Sequence, residues 1–353
     1  MPIGITGTGS YLPTQITKNE DFESHEFLNS DGTIINAPNP VIIKKFKAIT
    51  GINERRYANK EHNTSDLAFF ASEKAIKDAG IDKETLDYII VAHNFGDVTY
   101  GNIQGDTLPS LATRVKHKLG IKNPRCVAYD ILFGCPGWVQ AMIQAHAFIK
   151  SGIATKCLVI GAETLSRIVD KYDRDSMIYS DGAGAAIIED NTTAGEILFH
   201  DSATYANGEA NYLFFGKTYN TKIKDDTLYI KMFGRKIYEF ALTNVPVAMK
   251  HCLDSANIPI KDLKKIFIHQ ANEKMDEAIV ERFYKLYDIE EAPKGIMPMI
   301  IEEFGNSSVA TIPTLYDLVN KNQIKNQNIN KGDIVIFASV GAGMNVNAIV
   351  YRV

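Results

Sequence analysis

The chain has no apolar run of the roughly 18 to 20 residues that a membrane-spanning helix needs. Its first residues, Met1-Pro2-Ile3-Gly4-Ile5, show no basic region followed by an apolar stretch. Neither a membrane span nor a signal peptide is expected. Cysteine is scarce, with four in 353 residues: Cys126, Cys135, Cys157 and Cys252. So few thiols in so long a chain make no disulfide framework, and reduced thiols in the cytoplasm are the expectation. Positive charge is not in excess, because 38 Lys and Arg stand against 42 Asp and Glu, for a net charge of -4. Phosphate backbones are bound by clustered positive charge. Lys44, Lys45 and Lys47 form only a small cluster, so no nucleic-acid partner is expected. Short-period repeats, low-complexity segments and Pro/Gly/Ser linkers are absent as well. What is there is ordinary for a globular protein, 45% apolar and 23% charged, which excludes a disordered or collagen-like chain. At roughly 150 residues per domain, the length fits two domains or one domain of two halves.

A long-period echo organises the chain. Leu67, Ala68, Ala71, Ala75, Ile76 and Ala79 recur at helical spacing, with Ser65 as a plausible N-cap and Gly80 as the stop. A buried strand then follows in Leu86-Asp87-Tyr88-Ile89-Ile90-Val91. In the second half Val247, Ala248, His251, Cys252 and Ala256 lie on a helix ended by Asn257, before the strand Leu263-Lys264-Lys265-Ile266-Phe267-Ile268. Gly134-Cys135 and Gly305-Asn306 each precede an amphipathic helix. Lys156-Cys157-Leu158-Val159-Ile160 and Asp333-Ile334-Val335-Ile336-Phe337 are both apolar strands. The offsets are 177, 171 and 177 residues. Chance resemblance among α/β patterns is the alternative, but three matched pairs favour an internal duplication. Strand–helix alternation with near-continuous apolar strands predicts an α/β architecture of mainly parallel, doubly covered sheets. Insertions fall around residues 20–48, 94–110 and 200–230, where long loops often line binding sites.

Cys135 sits where a strand turns at Gly134 and a helix begins at Pro136. The positive end of a helix dipole favours a thiolate there, as a nucleophile requires. Most free cysteines are instead small buried hydrophobes, a description that suits Cys126, Cys157 and Cys252 better. His269 follows an apolar strand at its carboxyl end, where α/β sheets place ligands; alone it reads as a strand-end His bonded to backbone. Asn306, alone, reads as a turn or N-cap. The echo changes both readings, because Asn306 occupies in the second half the place of Cys135 in the first. Two halves related by pseudo-twofold symmetry would aim both residues at one central site, with His269 from a neighbouring strand end. A nucleophile, an imidazole and a carboxamide suit acyl-thioester chemistry. The glycine-rich 339–344 stretch could offer N–H groups to an oxyanion, or could be only a tight turn. It is not a phosphate loop, since no Lys-Ser/Thr follows. Asp181-Gly182-Ala183-Gly184-Ala185 has its glycines in the wrong order for a dinucleotide site and reads as core packing leading into a strand. No spacing of His, Cys and acidic residues suggests a metal.

These residues resemble the β-ketoacyl-acyl-carrier-protein synthase III branch of the thiolase superfamily. The resemblance runs through Gly7-Thr8-Gly9-Ser10-Tyr11-Leu12-Pro13, Thr50-Gly51-Ile52 with Arg55-Arg56, the Cys135 corner, Tyr179-Ser180-Asp181-Gly182-Ala183-Gly184-Ala185, His269-Gln270-Ala271-Asn272, Gly305-Asn306-Ser307-Ser308 and Gly341-Ala342-Gly343. It implies a five-layered αβαβα fold of two similar halves. Residues 1–190 would carry the nucleophile and the insertions, and residues 191–353 the His and Asn. It also implies a cytoplasmic homodimer with no cofactor, using acyl-CoA or acyl-carrier-protein thioesters. Cys135 would hold the acyl group. The backbone N–H groups of Cys135 and Ala342 would bind its oxyanion, and His269 and Asn306 would donate to the carbonyl of a malonyl-type extender. Decarboxylation would then give the enolate that attacks acyl-Cys135.

The chain departs from this pattern in places that bear on substrate. Lys44-Lys45-Phe46-Lys47-Ala48-Ile49 stands where relatives that start from acetyl-CoA carry a Trp and an Arg that clamp adenine. Leu108 replaces a Phe that crosses the dimer interface and limits the acyl pocket. Phe133 replaces a small residue, and Trp138 stands where Phe is common. Leu108, Phe133 and Arg167 are expected at the substrate, and Lys274 at the docked acidic carrier protein, although any single helix Lys can be merely solvated. The departures suggest a different starter and a specialised pathway. Alternatives within the family are a secondary-metabolite ketosynthase or an acyltransferase with a non-malonyl acceptor. A degenerate, non-catalytic relative is disfavoured by the intact Cys135, His269 and Asn306. A hydroxymethylglutaryl-CoA synthase is disfavoured because no acidic general base can be assigned.

Overall fold

The computed structural model describes residues 1–192 and 195–353. The first sheet contains β1 (Ile3–Tyr11), β2 (Tyr88–Ala92), β3 (Val127–Ile131), β4 (Lys156–Thr164) and β5 (Asp181–Asp190), in the order β1-β5-β4-β2-β3. After it come β6 (Glu196–Thr204) and a two-stranded hairpin, β7 (Leu213–Lys217) with β8 (Leu228–Met232). The second sheet joins β6 to β9 (Leu263–Ile268), β10 (Ile334–Gly341) and β11 (Asn345–Arg352) in the order β6-β11-β10-β9. The two orders match strand for strand, and β3 is an extra edge on the first sheet.

The sheets are mixed rather than mainly parallel. β2 pairs parallel with β3 and β4, and β9 with β10. The other pairings, β1 with β5, β4 with β5, β6 with β11 and β10 with β11, are antiparallel. The reason is that β11 returns beside β10 after Ala342–Met344, and β5 beside β4 after residues 165–180, which hold 3-10 turns but no crossover α-helix to force parallel order. The run of small residues expected to lead into β5 lies inside it. A Cβ on Gly184 would come within 2.7 Å of Pro313, so the glycine lets a helix approach the strand closely.

Helices α1 (Asn39–Thr50), α2 (Thr64–Ala79), α3 (Leu111–Leu119), α4 (Gly137–Lys150), α5 (Gly234–Ser255), α6 (Glu273–Lys285) and α7 (Thr311–Asn320) complete the elements that matter here. α2 packs on the outer face of the first sheet with α3 beside it, and α5 packs on the second with α6 beside it. α4 and α7 lie between the sheets and touch both. The result is five layers, αβαβα. The middle layer is sealed by residues such as Trp138, Phe267, Leu315 and Phe337, all 1% exposed or less. Trp138 and Phe337 meet edge to face at 5.7 Å.

Asn63, not Ser65, caps α2, in a reciprocal box with Asp66. Ser65 is the second residue of the helix, within its first turn, and its N–H and hydroxyl both donate to Asp97 at 2.7 Å. Gly80, at φ 64°, ends α2, and Asn257, at φ 54°, ends the turn after α5. Both left-handed positions are filled by the residue types that tolerate them.

Candidate active site

Cys135 lies between β3 and α4, at a corner wedged against the turn between β10 and β11. A Cβ on Gly134 (φ 66°) would meet the Ala342 nitrogen at 2.6 Å, and one on Gly341 would meet the Cys135 nitrogen at 2.5 Å. Only glycine permits this approach of backbone to backbone. Two asparagines of β11 fasten the corner: Asn345 Nδ2 donates to Phe133 O (3.3 Å) and Ala342 O (2.8 Å), and Asn347 Nδ2 to Pro136 O (3.0 Å).

The second-half residues arrive by the matching route. His269 follows β9, and its backbone N–H donates to Ala338 O of β10 at 3.0 Å. Asn306 is clasped by the first half: its N–H donates to Ile178 O at 3.0 Å and its carbonyl accepts from Ser180 N at 2.8 Å. The Asn306 Oδ1 accepts from Ser308 N at 2.8 Å, which leaves the amide N–H groups to the site. Cys135, His269 and Asn306 all line one cavity of about 850 Å³.

Sequence reasoning missed a polar chain behind the sulfur. The Ser308 hydroxyl donates to Cys135 Sγ at 3.3 Å. Asn94 Nδ2 donates to Ser308 Oγ at 3.0 Å and also to Glu163 Oε1, which accepts the Asn94 backbone N–H at 2.7 Å. Burial pushes the Glu163 carboxyl up to about 8, so near neutrality it is uncharged and its Oε1 serves as an acceptor. The four residues come from positions 94, 135, 163 and 308, with no periodicity to announce them.

Electrostatics qualify the helix-dipole expectation. Burial pushes the Cys135 thiol up to about 11, against the lowering effect of the Ser308 hydroxyl bond. The resting group is therefore a thiol. Burial also pushes the His269 imidazole down to about 4, although its contact with the Ser308 backbone works the other way. His269 is thus neutral at pH 7, with one ring N–H to donate and one lone pair free.

The remaining expected residues divide. Arg167 is not at the cavity. Its guanidinium donates to Asn63 Oδ1 at 2.7 Å, Asn59 O at 2.9 Å, and the carbonyls of His62 and Val98. It fastens loops together, and the substrate role expected for it is corrected accordingly. Leu108 and Phe133 are also absent from the cavity lining of the single chain. Leu108 is 88% exposed in the single chain. Lys274 is exposed in the first turn of α6, beside the cavity-lining Ala271, Asn272 and Met275. The exposed Lys45, Arg174 and Arg235 also line the cavity and mark its rim. One carboxylate unassigned from the sequence, Asp175, lines it too, and burial pushes it up to about 6. Among the described residues no group of three or more His, Cys, Asp or Glu could hold a metal ion, and no helix is long and apolar enough to cross a membrane.

A five-layered αβαβα fold with Cys, His and Asn around one cavity defines a condensing enzyme of the thiolase superfamily. Comparison with known proteins narrows the class. Residues 129–208 match the family model of 3-oxoacyl-[acyl-carrier-protein] synthase III, and residues 253–353 its C-terminal model. The chain is 33% identical to the β-ketoacyl-[acyl-carrier-protein] synthase III of Staphylococcus haemolyticus, covering 100% of this chain and 99% of that protein. It is 32% identical to synthase III 1 of Vibrio vulnificus, covering 99% and 98%. Among solved structures, the Thermus thermophilus synthase III superposes with a TM-score of 0.80 at 30% identity, over 99% of each chain. OleA of Xanthomonas campestris shares the fold at a TM-score of 0.78 and 17% identity, over 100% of this chain and 98% of that one. The chain belongs to the 3-oxoacyl-[acyl-carrier-protein] synthase III family.

Proposed function

We infer that the protein condenses a Cys135-bound acyl group with a malonyl thioester on acyl carrier protein, giving a 3-oxoacyl product. The observation that carries this reading is the convergence of Cys135, His269 and Asn306 on one cavity. Cys135 attacks the acyl thioester, and its proton ends on the departing thiol. Because the resting group is a thiol, the proton leaves the sulfur as the sulfur attacks. The acyl oxyanion is held by the N–H groups of Cys135 and Ala342, which the close approach of Gly134 to Ala342 brings to one corner. The malonyl thioester carbonyl then accepts from His269 and from the Asn306 amide. Its carboxylate leaves as CO2, and the electron pair of that bond forms the enolate. The enolate carbon attacks the acyl carbonyl and expels the Cys135 sulfur, which takes up a proton. Decarboxylation itself generates the nucleophile, so this route asks no base of Asp175.

Lys274, Lys45, Arg174 and Arg235 give the cavity mouth a basic rim suited to an acidic carrier protein. β3 is the edge strand of the first sheet, with Val127 46% exposed; Leu132, just beyond it, is 67% exposed, and the exposed Leu108 precedes α3, which packs on β3. Edge strands of this kind pair with a second chain, and we read the protein as a cytoplasmic homodimer. Sedimentation should give twice the 39.2 kDa chain mass; a monomer at micromolar concentration would refute the pairing. The activity is tested by supplying acyl thioesters with malonyl carrier protein. CO2 and a 3-oxoacyl product extended by two carbons are expected. An acyl-Cys135 that forms but passes only to a non-malonyl acceptor would move the protein to a specialised acyltransferase role.

A further inference from the structure

Three neighbouring strands of the first sheet end beside the nucleophile. β2 runs out into Asn94, β3 into the Cys135 corner, and β4 carries Glu163 one residue before its end. The carboxyl ends of parallel strands are where such sheets gather functional side chains. The second half adds Ser308, two residues after Asn306, with a backbone φ of 53°. A serine in the left-handed region costs energy and persists only where its surroundings hold it. Here the Ser308 N–H is held by Asn306 Oδ1 and its hydroxyl reaches Cys135 Sγ.

Which way the Ser308 hydroxyl points is decided behind it. A hydroxyl has a single proton to give. Asn94 Nδ2 donates to Ser308 Oγ at 3.0 Å, which occupies a lone pair and leaves that proton for the sulfur. The Asn94 amide is oriented in turn by Glu163 Oε1, which accepts the Asn94 side-chain N–H and, at 2.7 Å, its backbone N–H. An oxygen that takes a backbone N–H is an acceptor, so the amide nitrogen faces Glu163 and not the amide oxygen. Both Nδ2 hydrogens are then spent, one on Glu163 and one on Ser308. Glu163 is 1% exposed, and burial keeps its carboxyl uncharged near neutrality. That suits its place, because an ionised carboxylate so near the sulfur would oppose the thiolate.

We propose that Asn94 and Glu163 are positioning residues for acylation: Glu163 orients the Asn94 amide, and the amide commits the Ser308 hydroxyl to donate to Cys135 Sγ as the sulfur gains negative charge in its attack. The inference rests on the reading of Cys135 as the acylated nucleophile. Both residues act through Ser308. Without the Asn94 donor the hydroxyl is free to turn toward water, and its bond to the sulfur is kept only part of the time.

A double-mutant cycle tests the relay. Asn94→Leu and Asn94→Ala remove the donors with and without keeping the volume, and each is made in the parent and in Ser308→Ala, with native-like melting checked throughout. The readout is alkylation of Cys135 by iodoacetamide at pH 8 and its pH profile. In the parent, either Asn94 variant should slow alkylation about three- to tenfold and displace the profile to higher pH. In the Ser308→Ala background the same change should alter the rate less than about twofold, because its route to the sulfur is gone. Equal slowing in both backgrounds, or none in either, overturns the inference. Glu163→Gln, whose amide oxygen can accept both Asn94 N–H groups, should slow alkylation less than Glu163→Leu; equal losses overturn the part given to Glu163. Acyl loading of the same proteins from a panel of acyl-CoAs, followed by intact-protein mass spectrometry, separates this inference from the reading beneath it. A parent enzyme that alkylates but takes up no acyl group overturns Cys135 as the acylated nucleophile, and the proposal for acylation falls with it. A parent enzyme that loads, with Asn94 variants that load and alkylate at the parent rate, overturns this inference alone.

Discussion

Cys135→Ala is expected to abolish both acyl loading and condensation, whereas His269→Ala and Asn306→Ala should still load the acyl group and then stall. The asymmetry follows from the geometry. The sulfur forms the only covalent bond between protein and substrate in the proposed cycle. His269 and Asn306 offer hydrogen bonds to a carbonyl whose charge develops only as CO2 leaves. Losing one such donor typically costs on the order of 100- to 1,000-fold in rate. Product formation in single-turnover assays with preloaded enzyme should therefore fall by about that factor, with acyl-enzyme accumulating. Equal loss of loading in all three variants would contradict the division of labour. Ser308→Ala gives a further reading of the same site. Its hydroxyl donates to Sγ at 3.3 Å and holds the thiol below where burial alone would put it. Hydrogen bonds to charged groups are worth about 1.5–3 kcal/mol. Iodoacetamide alkylation of Cys135 at pH 8 should slow about tenfold in this variant, with its pH profile displaced to higher pH. An unmoved profile would reduce Ser308 to a packing role.

The division between what the sequence disclosed and what it concealed has a physical basis. Cys135, His269 and Asn306 were readable because each stands at a strand end, marked by glycine or by the close of an apolar run, and because the duplication ties Asn306 to Cys135. The same duplication appears as matching sheet orders, β1-β5-β4-β2 and β6-β11-β10-β9. Local chemistry was enough for Gly80 and Asn257 as helix stops, but not for the cap of α2, where Asn63 with Asp66 outcompetes Ser65. Ser65 is claimed instead by Asp97. The Glu163–Asn94–Ser308–Cys135 chain was concealed because its links span 69, 214 and 173 residues. Single polar residues carry no period that a sequence can display. The helix expected after Cys135 does begin there, at Gly137, but burial pushes the thiol up, so the resting group is a thiol and not the thiolate that the dipole alone would favour. Arg167 looked available because arginine usually is; its burial among carbonyls shows only in three dimensions.

The largest effect on stability is expected at a residue with no part in the chemistry. Lys231→Met should lower the melting temperature by roughly 4–7 °C, through the following argument. The Lys231 ammonium lies 2.7 Å from Asp170 and 3.0 Å from Asp173, and 3.4 Å from the centroid of the Tyr219 ring. Lys231, Asp170 and Asp173 are 1%, 2% and 8% exposed at their side chains. Removing one member of a buried ionic cluster leaves the others without compensation and costs about 3–5 kcal/mol. An unfolding entropy near 2.1 cal/mol/K per residue converts that cost into the stated shift for a chain of this length. Removing all the charges together should hurt less, because replacing a whole buried cluster with neutral groups is often close to neutral. The triple variant Lys231→Met, Asp170→Asn, Asp173→Asn should thus melt above the single variant, a coupling that double-mutant arithmetic isolates. Asp170 also accepts from Thr218 Oγ1 and Tyr219 N, and Asp173 caps the turn that leads to Ile178, the residue whose carbonyl receives the Asn306 N–H. The cluster therefore joins the β7–β8 hairpin to the clasp on Asn306. Calorimetry of the single and triple variants, with acyl loading of Cys135 and condensation measured on each, tests both links. A single variant that melts like the parent would show that these charges are solvated and that the hairpin is held by its apolar contacts alone.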